Sequence, residues 1–467
     1  MKNITITDIL NATDGILLKG NKALTVSDVS IDSKQIKATG STLFIPLIGE
    51  RVDAHRYVRN AIENGAIGVI ISNDSKDVLE ELEASGADVI IKVSETKKAL
   101  QDIAIYYRQM LDVKLVAITG SVGKTTTREL TAAALSPFGS DNVYQTVGNR
   151  NSQTGVPLTV MDITSEKMAV VELGMSEEGE IEIIAGIAKP DVAIITNIGV
   201  AHLMQLKTQA NICKEKMSIT KGLKEDGCIF LNADDPFQRD YSQYLKHKVY
   251  FYGEDIISDF RISNAVQTTS GMEFDYTIPD GNTYKVKLSA MGIHNVRNAA
   301  AAMGAAIILG AEPQQVVDSM RDFGGVKMRQ QIINKDNYTI IDDSYNANPD
   351  SMKAGLKVLA DYKVIENGRR IALLADMKEL GADDEIRFHK EMGEYVAGLG
   401  IDILITVGTL AAYISDEAAC NEPKLMVKHV ADNDEAAKFL RQSIKSNDVL
   451  FVKGSRSMAL DKVIEQI

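Results

Sequence analysis

The chain has 467 residues, about three times the roughly 150 of an average domain, which predicts two or three domains rather than one core. Hydrophobic residues make up 45% and charged residues 25%, the proportions of an ordinary globular protein and not of a disordered chain or one built mainly of membrane spans. With 51 Lys and Arg against 64 Asp and Glu the net charge is −13, a surface that repels phosphate backbones, so no nucleic acid partner is expected.

The opening segment MKNITITDILNATDG has no uninterrupted apolar stretch behind its lysine and so lacks the shape of a secretory signal. The remainder of the first 112 residues holds the strand candidates LTVSDVSID, TLFIPLI, AIGVIIS and DVIIKV, which predict a unit of less regular order. From Lys114 short apolar runs alternate with helical periods. KLVAIT precedes a helix from Thr125, AVVEL a helix near Glu178, and DVAIITNI a helix near Thr208, with CIFLNAD following. That alternation predicts a parallel sheet covered on both faces. Between Arg261 and Lys287 the pattern changes to MEFDYTI and YKVKL, which read as an antiparallel edge of the same domain. Ala299 to Ala311 is the longest small or apolar run and is shorter than the roughly 20 residues of a membrane helix, so it reads as a buried helix, with no membrane insertion.

A second alternating series follows Gly324-Gly325: YTIIDD, a helix entered through Pro349, RRIALLAD, a helix from about Asp383, DILITVG, KLMVKHV and DVLFVKGS before a last helix. It predicts a separate doubly wound domain. Boundaries are expected near Asp112 and Gly325, giving units of 1–112, 113–325 and 326–467. Cys213, Cys228 and Cys420 are odd in number and lack the paired spacing of a zinc site or disulfide framework, which predicts a reducing cytoplasm.

The sharpest chemical signal is VAITGSVGKTTTREL, residues 116–130, an apolar strand entering a glycine loop and then a helix. Gly120 and Gly123 let backbone N–H groups approach a phosphate, the helix start supplies positive potential, and Lys124 can reach a terminal phosphate. Thr125 or Thr126 can offer a hydroxyl to Mg²⁺. Ile118 stands where the first glycine of the standard P-loop pattern belongs, and a chance glycine turn is the plain alternative. The next strand, AVVELG, ends in Glu172, placed to coordinate Mg²⁺ or else to serve as a capping or surface carboxylate. DVAIITNIGVAHL places Asn197 and His202 past a strand end, and Lys216 follows in KEKMSI. GTP recognition is poorly supported, because Asn337 follows Asn334 to Asp336 where a guanine-binding aspartate is expected.

TGSVGKTTT, VVELGMSEEGEIE, KPDVAIITNIGVAHL, HNVRNAAAA, MRQQII, DDSYNANPDSM and KGSRSM occur in an order that resembles the Mur ligase family, and the likeness extends to the amino-terminal IDSKQIKATGSTLFIPLIGERVDAH. DDSYNANPDSM and GNRNSQTGVPLT resemble the branch that joins D-alanyl-D-alanine to UDP-N-acetylmuramoyl-tripeptide. The resemblance implies an α/β fold of three domains: an amino-terminal UDP-precursor domain, a central P-loop parallel-sheet ATPase domain and a carboxy-terminal Rossmann-like domain. By the same resemblance ATP is bound by Gly120, Ser121, Gly123, Lys124, Thr125, Thr126, Asn295, Asn298, Arg329 and Asp343. Mg²⁺ is held by Thr125, Glu172, His202 and Lys216, with Lys216 carbamoylated, and Lys124, Glu172, His202 and Lys216 are the catalytic set. Substrate contacts fall on Ser33, Asn149, Asn151, Thr159, Asn346, Asn348, Lys453, Ser455 and Arg456.

Three positions depart from the family pattern: Lys34 where arginine is common, Ser152 where a second asparagine is common, and Cys213 where alanine is usual. The implied chemistry is ATP-driven amide formation through an acyl phosphate by a cytoplasmic monomer. A ligase adding another amino acid, or glutamate to folate, and a P-loop phosphotransferase without ligase activity are the remaining alternatives.

Overall fold

A computed structural model describes residues 1–36, 40–73, 75–200, 203–378, 380–381 and 384–467. Three larger sheets follow one another along the chain. The first has the spatial order Ile16–Lys19, Val89–Lys92, Gly68–Ile71, Thr42–Phe44, Asp28–Ser30; its first pair is antiparallel and the rest are parallel. LTVSDVSID divides at Ser27, so that Thr25–Val26 pairs with Ile4–Thr5 and only Asp28–Ser30 joins the larger sheet.

The central sheet has nine strands in the order Thr283–Leu288, Met272–Thr277, Phe260–Gln267, Lys248–Gly253, Cys228–Asn232, Val192–Ile195, Lys114–Thr119, Met168–Glu172, Val143–Gln145. Strands buried on both faces need no alternation, and Leu115 through Thr119 are all buried. MEFDYT keeps one face to the core and one to solvent, and it sits in the antiparallel edge expected for it. The alanine-rich run lies largely in helix Ile293–Ile308, where small side chains permit close packing: a Cβ at Gly304 would stand 2.6 Å from the Phe230 ring.

The last sheet runs Gln331–Asn334, Thr339–Asp342, Val449–Lys453, Arg370–Ala375, Ile403–Val407, Met426–Val430, parallel except at the first pair. Apolar clusters cover both of its faces. Helix Thr96–Gln109 of the first unit shares an apolar core with helix Gly155–Asp162 and one face of the central sheet, which fixes the first unit against the second. In the central sheet Glu172 lies in register with Ile118 and Ile195 with Thr119, so three strands release their loops at one edge. The site is built there.

Candidate nucleotide and precursor site

The loop after Lys114–Thr119 needs glycine at both ends. Gly120 has φ +153° and a Cβ there would lie 1.8 Å from Thr196 Oγ1, while Gly123 begins helix Lys124–Ala134 at φ +87°. Asn197 holds the loop from the neighbouring strand's end: Ser121 N–H donates to its backbone carbonyl at 3.1 Å and Val122 N–H to its Oδ1 at 3.0 Å. Lys124 folds its ammonium onto the Gly120 carbonyl at 2.7 Å. Burial pushes its pKa down, with Glu172 pulling the other way. Such an ammonium is available to exchange a carbonyl for a phosphate.

Glu172 is buried at the meeting point of three elements. Thr125 Oγ1 donates to its Oε2 at 3.0 Å, Asn151 Nδ2 to its Oε1 at 2.8 Å, and Arg128 Nη1 stands 3.7 Å from Oε2. Among the described residues no cluster of three or more His, Cys, Asp or Glu could hold a metal alone. The hydroxyl and carboxylate of Thr125 and Glu172 nevertheless fit Mg²⁺, which commonly takes one or two carboxylates and completes its shell with phosphates and water. His202 lies outside the described residues. Lys216, on helix Gln209–Met217, is 1% exposed, and burial followed by the charge of Lys124 drives its pKa well below the ordinary lysine value. Its neighbour Glu215 accepts N–H groups of Gly179 and Ile181 at the start of helix Glu180–Ala188.

The C-terminal unit faces this loop across a cleft of about 520 Å³. Ser121, Gly123, Lys124, Thr125, Thr126, Asn149, Asn151 and Glu172 line it from the central unit, with Asn295 and Asn298 of helix Ile293–Ile308. Arg329, Asp343, Asn346, Asn348 and Lys453 line it from the other side. Asn295 Nδ2 donates to Met291 O at 2.8 Å and to Gln330 Oε1 at 3.2 Å, and Asn298 Nδ2 to Asn295 Oδ1 at 3.3 Å. His294 pairs with Gln330 Oε1 at 3.0 Å, its pKa pushed down to about 4 by burial. The Arg329 guanidinium lies over the Tyr345 ring at 4.2 Å. Lys453 Nζ donates to Asp343 Oδ2 at 2.6 Å and to Asn346 O at 3.1 Å, tying DDSYNANP into one arc. Asn348 also caps helix Pro349–Asp361.

Ser455 and Arg456 do not line the cleft. Ser455 Oγ accepts the Lys378 N–H at 2.8 Å, and Arg456 pairs with Asp461 at 2.9 Å.

A second cleft of about 520 Å³ opens between Asp28–Asp32 of the first unit and helix Gly155–Asp162, and Asn149 and Ser152 line both clefts. Ser33 and Thr159 are buried beside it without lining it. The Ser33 carbonyl accepts Asn64 Nδ2 at 2.8 Å, and Thr159 Oγ1 donates to Arg150 O at 3.2 Å. Lys34 is exposed, and Cys213 packs in the core with burial raising its thiol to about 12.

Sequence reasoning missed Arg128, Gln330 and Tyr345. Arg128 sits one helical turn beyond Lys124 and donates to the Gly148 carbonyl at 2.9 Å; that i+4 spacing was the available signal. Gln330 and Tyr345 lay inside MRQQII and DDSYNANPDSM, but Gln330 acts by pairing across the cleft with His294 and Asn295, and Tyr345 by lying under Arg329 of its own unit.

A phosphate loop with an acidic partner, closed by a second α/β unit, defines an enzyme of the P-loop type that acts on a phosphorylated ligand. Three family models match the chain in order: Mur ligase family, catalytic domain, over residues 25–108; Mur ligase middle domain over 118–306; and Mur ligase, glutamate ligase domain, over 328–456. Two relatives are the UDP-N-acetylmuramoyl-tripeptide–D-alanyl-D-alanine ligases of Bacillus subtilis and Escherichia coli. The first is 33% identical, covering 99% of this chain and 98% of that protein; the second is 34% identical, covering 99% and 97%. A crystal structure of MurF from Acinetobacter baumannii superposes with a TM-score of 0.89 at 29% identity, covering 100% of this chain and 98% of that one. That of MurF ligase from Thermotoga maritima in complex with ADP gives 0.82 at 27%, covering 94% and 96%. The chain belongs to the Mur ligase family.

Proposed function

We propose that this chain joins D-alanyl-D-alanine to UDP-N-acetylmuramoyl-tripeptide with conversion of ATP to ADP and phosphate, as a cytoplasmic monomer in peptidoglycan precursor synthesis. The observation that carries the reading is the pair of clefts meeting at Asn149 and Ser152. One is built around a phosphate loop and the other is roomy enough for a second ligand beside it. The near full-length likeness to ligases of that name supports the choice of substrates.

Residues 1–112 serve the UDP-precursor, 113–325 the nucleotide, and 326–467 close the cleft and receive the dipeptide. A carboxylate is a poor acyl donor because its leaving group would be oxide. The tripeptide carboxylate therefore attacks the γ-phosphate, giving an acyl phosphate and ADP, and the dipeptide amine then displaces phosphate through a tetrahedral intermediate. Two anions meet in the first step. Lys124, the N-terminus of helix Lys124–Ala134 and Arg329 lower their repulsion in the cleft. Asn295 and Asn298 sit on the helix face that would receive the base of the nucleotide. Thr125 and Glu172, together with His202 and a carbamoylated Lys216, would hold Mg²⁺, which when bound would supply positive charge to the phosphate oxygens. Lys216 is suited to carbamoylation because burial lowers its pKa and so favours the neutral amine, the form that reacts with CO₂.

ADP release measured with each UDP-precursor and each amine donor tests the assignment. Turnover is expected only with the UDP-linked tripeptide and D-alanyl-D-alanine together. Robust turnover with single amino acids and none with the dipeptide would refute it.

A further inference from the structure

We propose that Asp350 is a positioning residue that ties the placement of the C-terminal unit to the geometry of the phosphate loop through two consecutive backbone amides. Gly199 N–H donates to Ser121 Oγ at 2.9 Å, and the next amide, Val200 N–H, donates to Asp350 Oδ2 at 3.0 Å. Ser121 lines the nucleotide cleft, whereas Asp350 lies in the first turn of helix Pro349–Asp361, in the other unit. One dipeptide is therefore held from both sides.

The carboxylate of Asp350 is exposed, but the packing at Gly199 is tight. A Cβ on Gly199 would stand 2.3 Å from Asp350 Oδ2 and 3.2 Å from Ser121 Cβ, so the close approach of the two side chains requires glycine. The Val200 side chain packs against the apolar cluster that contains Met352 and Leu356 of the same C-terminal helix. Nor does the helix need Asp350 as its cap. Asn348 and Ser351 already form a reciprocal capping box there, which leaves the Asp350 carboxylate free to reach across the interface.

When the C-terminal unit moves away, Val200 loses its acceptor and the peptide that braces Ser121 is released. The phosphate loop is then fully supported only while the unit that completes the cleft is in place. This inference rests on the ligase reading for its kinetic arm alone.

The test compares Asp350→Ala, Asp350→Asn and Gly199→Ala by steady-state kinetics and by small-angle scattering with a non-hydrolysable ATP analogue alone. Asp350→Ala is expected to lower kcat about tenfold, the worth of one well-placed hydrogen bond, with KM for ATP within about twofold. Its ligand-bound form should scatter as a more open particle. Asp350→Asn keeps an acceptor oxygen and should retain most of the rate. Gly199→Ala should resemble Asp350→Ala, and the double variant should be no worse than Asp350→Ala, because removing the carboxylate makes room for the methyl. The scattering arm needs neither turnover nor the UDP-precursor and dipeptide, so it stands even if those two substrates are assigned wrongly. Wild-type kcat and compaction in Asp350→Ala would overturn the proposal. So would equal thermal destabilisation of Asp350→Ala and Asp350→Asn with unchanged kinetics, the outcome for a simple helix-end charge.

Discussion

Replacing Lys453 with methionine removes the counter-charge of a buried carboxylate while keeping most of the side chain's volume. Lys453 is 2% exposed and Asp343 7%, and their charged atoms lie 2.6 Å apart. Breaking a buried pair from one side costs about 3–5 kcal/mol, because the remaining charge stays out of water without a partner. For a unit of the size of the C-terminal domain that corresponds to a fall in Tm of roughly 10 °C. The loss depends on pH. Burial already holds Asp343 above its ordinary value of 3.8 against the pull of Lys453, and the variant raises it further. Above 3.8 the unfolded chain has released a proton that the folded chain retains, so rising pH favours unfolding until the folded-state pKa is passed. The deficit of Lys453→Met should be smallest near pH 4 and largest at neutrality and above. Thermal unfolding across that range, with Lys453→Met/Asp343→Asn alongside, measures it. The double variant should regain much of the loss. A deficit equal at every pH, or a double variant no more stable than the single, would show that the orphaned charge is not the cause.

Two further perturbations address the chemistry. Lys124→Ala should lower turnover at least about a hundredfold while circular dichroism and Tm stay close to wild type, since in the free protein its ammonium bonds the loop carbonyls of Gly120 and Ser121; near wild-type turnover at saturating ATP would exclude the phosphate role. Lys216→Ala should lose most activity and regain part of it with short-chain carboxylic acids, and in the wild type activity should rise with bicarbonate; full activity of the alanine variant would rule out a carbamate there.

The phosphate loop was legible because its determinants are local. An apolar strand, two glycines, a lysine and a helix lie within residues 116–130, and their backbone requirements do not depend on distant partners. Even the departure at Ile118 resolves locally: it is a buried strand residue in register with Glu172 and Ile194, and the turn begins at Gly120. Most parallel strands of the two α/β series were legible from continuous apolar runs, but Val143–Gln145 and Lys248–Gly253 of the central sheet were not read. The edge strands Ile16–Lys19 and Gln331–Asn334 were not, because a short strand with an exposed or half-buried face carries little periodicity.

What only the tertiary structure decided is which polar groups meet. Lys453 and Asp343 are 110 residues apart, and Val200 and Asp350 are 150 apart. Asn151 reaches Glu172 only because the strand bearing that carboxylate ends beside the GNRN loop. The same folding left Ser455 and Arg456 outside the cleft despite their place in KGSRSM. Sequence determines periodicity, turns and backbone freedom, since each acts over a few bonds. Contacts between side chains from different strands and units are set by the crossovers of the sheets and by how the C-terminal unit seats on the central one, and neither is written in the spacing of residues along the chain.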